Sequence, residues 1–423
     1  MRNPTLPILA ILAAFAATVP SPAGSLTTIP VPPGKSVFLT DVSDDGRTVV
    51  GSGSTSYFYW TAETGVVYIG GIAPGYQGAG GVGRVSADGS RFAGGSLTVN
   101  DKAEASTFAR ADGFWVTSPG LGGTCDITST SAWGMSANGE IVVGGGYVTN
   151  CGAFRAFRWD AGSGAIVALP SWFGWSCRAN SVSADGSTVV GWQADNTGQW
   201  RPCFWKFNGT SWVQTRPAAP GGTPTTLYGE AQAASADGQT VVGAATIGGI
   251  RQPFRWTQAG GTVGLGLAGD PTIPGAAVDC NADASRVLCF FRVGPPPTSG
   301  EGYMWISGRG YVPLETLALE AGVTVPPEVR LSLPLAMSSD ALTIVGSGRD
   351  TLQQIDVTFV LDLRPGGGAG CSADLDLDGA VSGADLGLLL GAWGTPGPGD
   401  LNGDGTVTGA DLGILLGQWG PCP

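Results

Sequence analysis

The stretch Ser183-Ala184-Asp185-Gly186-Ser187-Thr188-Val189-Val190-Gly191-Trp192 is a phrase that the chain repeats. Asp-Gly favours a tight turn, because glycine accepts positive φ and the aspartate side chain bonds its own backbone. The β-branched run after it reads as a strand. Copies stand at 43–51 (SDDGRTVVG), 86–95 (SADGSRFAGG), 136–145 (SANGEIVVGG) and 235–244 (SADGQTVVGA). Two worn copies follow, NADASRVLCF at 281–290 and SSDALTIVGS at 338–347. The aligned residue is Asp45, Asp88, Asn138, Asp185, Asp237, Asp283 and Asp340, at steps of 43, 50, 47, 52, 46 and 57 residues.

Each copy is followed, after about fifteen residues, by an aromatic strand: Phe58-Tyr59-Trp60, Phe157-Arg158-Trp159, Phe254-Arg255-Trp256 or Tyr303-Met304-Trp305. A last apolar stretch such as Ile166-Val167-Ala168-Leu169 closes the unit, giving four short strands per repeat. Seven such units predict an all-β fold, a seven-bladed β-propeller filling residues 37–363; an open β-solenoid is the alternative. The seventh unit lacks a fourth strand after Thr358–Leu363, and the segment 26–31 looks like the end of a unit. Pairing of 26–31 with the last blade is therefore expected to shut the ring. The repeated aspartate reads as a turn-former rather than a ligand.

Composition narrows the function. The 423 residues carry a net charge of −12, 71 glycines and no histidine. Lysine occurs only at Lys35, Lys102 and Lys206, so no basic face for nucleic acid is visible. Without imidazole, His-dependent nucleophilic catalysis is excluded. Arg2, the apolar stretch from Leu6 to Val19 and the small residues Ser21 and Ala23 read as a signal peptide over 1–23. Its apolar stretch is too short to span a bilayer, and no membrane span is expected after its removal. Eight cysteines in an exported chain predict disulfides inside single repeats: Cys125–Cys151, Cys177–Cys203 and Cys280–Cys289, with Cys371 and Cys422 placed to clasp the tail.

Residues 24–364 form the repeat domain, 365–370 a glycine-rich linker and 371–423 an acidic tail with no basic residue. Two tail phrases align, DLDLDGAVSGADLGLLLGAWG from Asp374 and DLNGDGTVTGADLGILLGQWG from Asp400. Their spacing is that of a twelve-residue calcium loop. Asp374, Asp376, Asp378, the Ala380 carbonyl and Asp385 form the first ligand set. Asp400, Asn402, Asp404, the Thr406 carbonyl and Asp411 form the second, so two Ca²⁺ ions are expected. Ser382 and Thr408 fall at the position that often acts through water. Each loop leads into an apolar helix, and Leu386, Leu389, Leu390, Trp393 and Leu412, Leu415, Leu416, Trp419 are expected to face a shared core.

This duplicated loop-plus-helix closely resembles the type I dockerin domain over 371–422. The resemblance implies a small α-helical double EF-hand module that docks a secreted protein on a cohesin-like or cell-surface partner. Gly383-Ala384 and Gly409-Ala410 stand where that family often has Ser-Thr. The repeats over 37–363 resemble the bacterial extracellular repeat family named for its His-Ala-Phe tripeptide, which implies an exported β-rich protein and no particular reaction.

Two functions follow. The first is a secreted, non-enzymatic binding or display protein whose propeller meets a protein or glycan, with Trp172, Trp175, Trp192 and Trp200 as glycan contacts if exposed. They are more often blade core. The second is a dockerin-tethered glycoside hydrolase of polysaccharide catabolism, needing two of Glu63, Glu104, Glu230, Glu301 and Glu315 in one cleft. The sequence assigns no catalytic residue.

Overall fold

The computed structural model describes residues 24–30, 37–53, 56–71, 81–98, 100–122, 130–148, 152, 154–220, 222, 227–292, 294, 299–364, 373–375, 380–395, 399–402 and 406–421. The expected signal peptide 1–23, the expected linker 365–370, Cys125, Cys151, Cys371 and Cys422 lie outside them. Among the described residues no helix is long and apolar enough to cross a membrane.

Residues 24–364 form one compact unit of seven four-stranded antiparallel sheets. It is a seven-bladed β-propeller. Blades 1–6 span 38–70, 84–117, 130–168, 177–215, 228–264 and 275–313, and each runs in chain order from strand a to strand d. Blade 7 takes strands a–c from 329–362 and its outer strand from the other end of the chain. Ser25–Pro30 pairs antiparallel with Ile355–Asp362, from Ser25 opposite Asp362 to Pro30 opposite Val357. The expected closure is therefore present. Blade 7 also packs on blade 1: Ala336, Val345 and Val360 share a buried cluster with Leu39, Val42, Val49 and Phe58.

The repeated phrase is the a–b hairpin. The glycine that follows its β-branched pair lies in strand b, and in four blades it is opposite the phenylalanine of the aromatic strand c: Gly51 faces Phe58, Gly144 faces Phe157, Gly243 faces Phe254 and Gly346 faces Phe359. A Cβ on Gly243 would stand 2.2 Å from the Glu230 carbonyl oxygen and 3.0 Å from the Phe254 ring. Glycine is there because strand a and the phenyl ring close over that spot. Strand a is bulged at one repeat position in six blades, around Thr40, Trp133, Asn180, Gln232, Val278 and Leu335. A bulge re-aims a side chain. Here Thr40 Oγ1 donates to the Gly83 carbonyl (2.8 Å) and Asn180 Nδ2 to the Ala231 carbonyl (2.9 Å), each in the next blade. The longest repeat step, Asp283 to Asp340, accommodates a helix, α1 (Leu314–Glu320), which buries Leu314 and Ala318.

Two expected disulfides are absent. Cys177, Cys203, Cys280 and Cys289 are free and buried. Cys177 lies in strand a (Cys177–Val182) and Cys203 in strand c (Trp200–Phe207) of blade 4, with strand b between them. Two strand spacings are about 9–10 Å, beyond the roughly 4.4–6.8 Å a disulfide spans. Cys280 faces Val287 and Cys289 faces Ala277, so that pair is diagonal rather than opposed. Both Cys203, opposite Gly191, and Cys289, opposite Tyr303, occupy the glycine–phenylalanine packing position of other blades. They are core residues.

The tail forms a separate unit. Its helices are α2 (Gly383–Gly391) and α3 (Gly409–Gly417), and Ala380–Val381 pairs with Gly420–Pro421. Ala373, Val381, Leu389, Val407 and Leu415 make its core, with Leu386 and Leu412 packed against it. The other half of each expected stripe does not join. Leu390 and Leu416 are exposed, and Trp393 and Trp419 are 47% and 51% exposed. Each helix ends before its tryptophan, so the seven-residue spacing no longer keeps that ring on the inner face.

Candidate ligand cleft and candidate calcium loops

The seven repeated turns, six with aspartate and one with Asn138, are occupied by structural work. In blade 5, Ser235 Oγ donates to Asp237 Oδ1 (2.7 Å), as does the Gln239 N–H (2.9 Å), while the Thr240 N–H donates to Ser235 Oγ (2.9 Å). These donors hold Asp237 below the usual carboxylate range. The pattern recurs at Ser43/Asp45, Ser86/Asp88, Ser136/Asn138, Ser183/Asp185 and Ser338/Asp340. Neighbouring turns are then stitched together. The Asp44 N–H donates to the Ala87 carbonyl (2.9 Å), Ala87 to Ala137 (2.8 Å) and Ala137 to Ala184 (3.1 Å). Ala236 donates to Ala282 (2.8 Å) and Ala282 to Ser339 (2.9 Å). The second residue of the repeated phrase, which looks indifferent in sequence, thus links blades around one face.

A polar layer missed in the sequence lies where strands a come together. Asp41 Oδ2 accepts the Val85 N–H (3.0 Å), Arg84 Nε donates to the Trp133 carbonyl (2.7 Å) and Asp279 Oδ2 accepts the Met337 N–H (2.9 Å). Asp41, Arg84 and Asp279 occupy one repeat position, two residues before the turn, where other blades have Gly134, Ser181, Ala233 and Ala336. Burial pushes Asp279 up to about 7, against the Met337 N–H and with help from Asp41.

The opposite face carries the b–c hairpins and the starts of strands a. There, blades 4, 5 and 6 form two adjoining cavities. The first, about 340 Å³, is lined by Gln199, Trp200, Tyr228, Thr246 and Arg251. The second, about 430 Å³, is lined by Glu230, Gln232, Arg251, Phe290 and Arg292, so Arg251 is their common wall. Trp200 stacks on Trp192 at 4.4 Å and 10°. Trp192 is only 8% exposed and Trp200 is 45% exposed, so the free face of the pair belongs to Trp200. Arg201 lies 4.3 Å over Tyr228 and is pinned from the other side by Asp195 (2.7 Å). Glu230 pairs with Arg251 (3.0 Å) and approaches Arg178 (4.0 Å). Arg178 is seated 3.6 Å over Trp133, and burial lowers it to about 10, with Glu230 opposing. Trp172 is also exposed, under Arg216 at 3.6 Å. Of the four candidate tryptophans, Trp192 is core, Trp172 and Trp200 are surface, and Trp175 is half-buried beside Phe173.

The five glutamates do not share a setting. Glu63 is in an exposed turn, and Glu104 is buried against Thr130. Glu301 accepts from the Tyr303 hydroxyl (2.5 Å) and Glu315 from the Leu331 N–H (3.2 Å). Glu230 alone lines a described cavity.

In the tail, Asp376, Asp378 and Asp404 lie outside the described residues, and among those described no three carboxylates converge as a metal cluster. The described loop residues are Asp374, Ala380, Asp385, Asp400, Asn402, Thr406 and Asp411. Asp385 is fully buried and accepts the Leu375 N–H (2.6 Å) and the Ser382 N–H (2.7 Å), tying the loop's start to its end. Asp411 does the same for Asn402 (3.0 Å) and Thr408 (2.7 Å). Burial works against the Asp411 carboxylate, and the N–H groups of Thr408, Asn402 and Leu401 outweigh it, holding it below its usual range. Ser382 and Thr408 are helix N-caps: each hydroxyl accepts the N–H two residues on, and each helix starts in a capping box. That S/T-x-x-D spacing was legible at the start of each helix and was read only as loop chemistry.

No protein-family model and no curated protein matches the chain. Solved structures do match. The β-propeller domain of the Trilobed protease from Pyrococcus furiosus is similar at TM-score 0.50 and 8% identity, over 80% of this chain and 96% of that one. A prolyl endopeptidase structure is similar at TM-score 0.52 and 12% identity, over 78% of this chain and 47% of that one. Oligogalacturonate lyase from Vibrio parahaemolyticus matches at TM-score 0.48 and 11% identity, over 80% and 97%. At these identities the likeness is one of fold. The Pyrococcus domain is described as having an open velcro topology, whereas Ser25–Pro30 closes the present ring.

Proposed function

We propose that the chain is an exported binding and display protein, whose propeller takes a ligand in the cleft of blades 4–6 and whose tail is a calcium-dependent docking module. The observation that carries the reading is the paired cavity around Arg251, with an open indole face at Trp200 and polar side chains converging on it. Concave sites with a few convergent polar groups are where small ligands bind, at roughly 300–1,000 Å³.

Calcium in the tail is supported by the aligned oxygen donors of its two loops, which suit a hard cation. The segment contains no lysine or arginine. Asp374, Asp376, Asp378, Ala380 and Asp385, and Asp400, Asn402, Asp404, Thr406 and Asp411, would hold one Ca²⁺ each. Residues 371–422 would then meet a cohesin-like or cell-surface protein, with the exposed Leu390, Trp393, Leu416 and Trp419 as the apolar part of the contact. The hydrolase reading gains nothing from Glu230, whose neighbours are arginines rather than a second carboxylate.

The test is a glycan and peptide binding screen on the full chain, with Trp200→Ala as comparison. Binding lost in the variant supports the cleft. Binding that Trp200→Ala leaves intact, or turnover of a bound polysaccharide, overturns the reading.

A further inference from the structure

The repeated phrase puts Asp45, Asp88, Asp185, Asp237, Asp283 and Asp340 on one face. The cleft on the other face sets Arg251 and Arg292 beside the one carboxylate among its lining residues, Glu230, with Arg178 behind that carboxylate at 4.0 Å, in a chain of net charge −12. An arginine-rich mouth with low-dielectric walls focuses field and selects anions. Arg251 lines both cavities with one side of its fork on Glu230. Arg292 lines the second cavity; its Nη1 donates to the Gly294 carbonyl (2.7 Å) and its guanidinium sits 5.5 Å from the Phe290 ring. A guanidinium fork matches a planar carboxylate by two parallel hydrogen bonds.

The first cavity has different chemistry. Trp200 offers one flat apolar surface, and Gln199, Thr246 and Tyr228 around it each donate and accept hydrogen bonds. That combination suits a ring with an apolar C–H face and a rim of hydroxyls. We propose that the two cavities together bind an acidic oligosaccharide, a pyranose ring lying on Trp200 and a neighbouring sugar carboxylate held by Arg251 and Arg292. Glu230 is the specificity element: it competes with the ligand carboxylate for Arg251 and so discriminates against weakly placed anions. This inference rests on the cleft being the ligand site and adds the class of ligand.

The test titrates the full chain with oligomers of the three common hexuronates and of the matching neutral hexoses, followed by calorimetry and tryptophan fluorescence. A uronate oligomer should bind with a change in tryptophan emission, roughly tenfold tighter than its neutral counterpart, and weaken as salt rises from about 50 to about 500 mM. Arg292→Gln should lose about tenfold for the uronate only. Glu230→Gln should bind the uronate more tightly, a gain that a folding defect does not produce. Equal binding of acidic and neutral oligomers, or a Glu230→Gln variant that binds no better, overturns the anionic specificity and leaves the cleft standing. Absence of binding by every oligomer overturns the saccharide class. If the Trp200→Ala screen also shows no ligand dependent on the cleft, the underlying site assignment falls with it.

Discussion

At the scale of the residue, the phrase Val-Val-Gly does two jobs that the sequence shows only as one. Its valines fill the space between blades, and its glycine lets the aromatic strand close over strand a. Gly243→Ala should therefore be destabilising by about 3 kcal/mol, because the new methyl meets the Glu230 carbonyl, the Ala231 Cα and the Phe254 ring. Gly162→Ala, in an exposed outer turn where the new methyl meets only the Asp160 carboxylate at 3.6 Å, should cost less, and chemical denaturation of both variants measures the contrast. Asp279 makes a second prediction. Its folded-state value of about 7 lies above the 3.8 of an unfolded aspartate, so the folded state holds the proton more tightly. Its contribution is fully present below about pH 4 and is lost as pH rises through 7, by up to roughly 4 kcal/mol. Asp237 is shifted the other way, and its contribution is lost as pH falls below 3.8. The melting temperature should accordingly decline between pH 4.5 and 7.5, and Asp279→Asn should flatten that decline. A wild-type profile that rises over the same window contradicts the assignment.

At the scale of the element, the strand Ser25–Pro30 joins the two ends of the repeat array. A propeller whose last blade lacks its outer strand leaves a row of backbone donors and acceptors open on Ile355–Asp362 and loses the cover over that edge. Deleting 24–30 should lower the melting temperature by roughly 10 °C and favour aggregation, whereas deleting residues 1–23 should do neither. This closure was legible because the seventh repeat is visibly one strand short and the N-terminal stretch supplies the missing pattern. The a–b hairpins were legible for the same reason: Asp-Gly at a constant place before β-branched residues can hardly be anything else. The bulges, the blade-to-blade hydrogen bonds of Ala87, Ala137 and Ala282, and the layer of Asp41, Arg84 and Asp279 were not. They depend on which residue of a strand faces the next blade, and that phase is set by the bulge, which leaves no composition signal. The cysteine spacing misled because equal separations around the repeated turn look like cross-strand partners. The register shows that strand b separates one pair and that the other is diagonal. The cleft was half visible: the tryptophans stood out, but only folding brings Arg251 of blade 5 beside Trp200 of blade 4 and sets Arg292 in the adjoining cavity.

At the scale of the whole molecule, the chain divides into a propeller, Gly24–Arg364, and a tail unit beginning at Pro365. They should respond to calcium differently. In the propeller, turn hydrogen bonds hold the Asp237 carboxylate, and arginines pair with Asp195 and Glu230. The tail has no basic side chain, buries Asp385 and Asp411 completely, and rests on a core of five small or medium apolar residues. So small a core supplies little stability by itself. Any ion that binds the folded tail and not the unfolded one adds about 2.7 kcal/mol at a concentration a hundredfold above its dissociation constant. For a unit of this size that is a shift of roughly 10–20 °C. Calorimetry of the full chain should therefore show two transitions, with calcium raising the smaller one and leaving the larger in place. Chelator should return the smaller transition to its metal-free position, and Asp385→Ala should remove its response to calcium. A single transition that calcium does not move would remove the metal from the tail. A calcium shift of the larger transition alone would place the ion in the propeller, where the layer of Asp41 and Asp279 would be the first place to look.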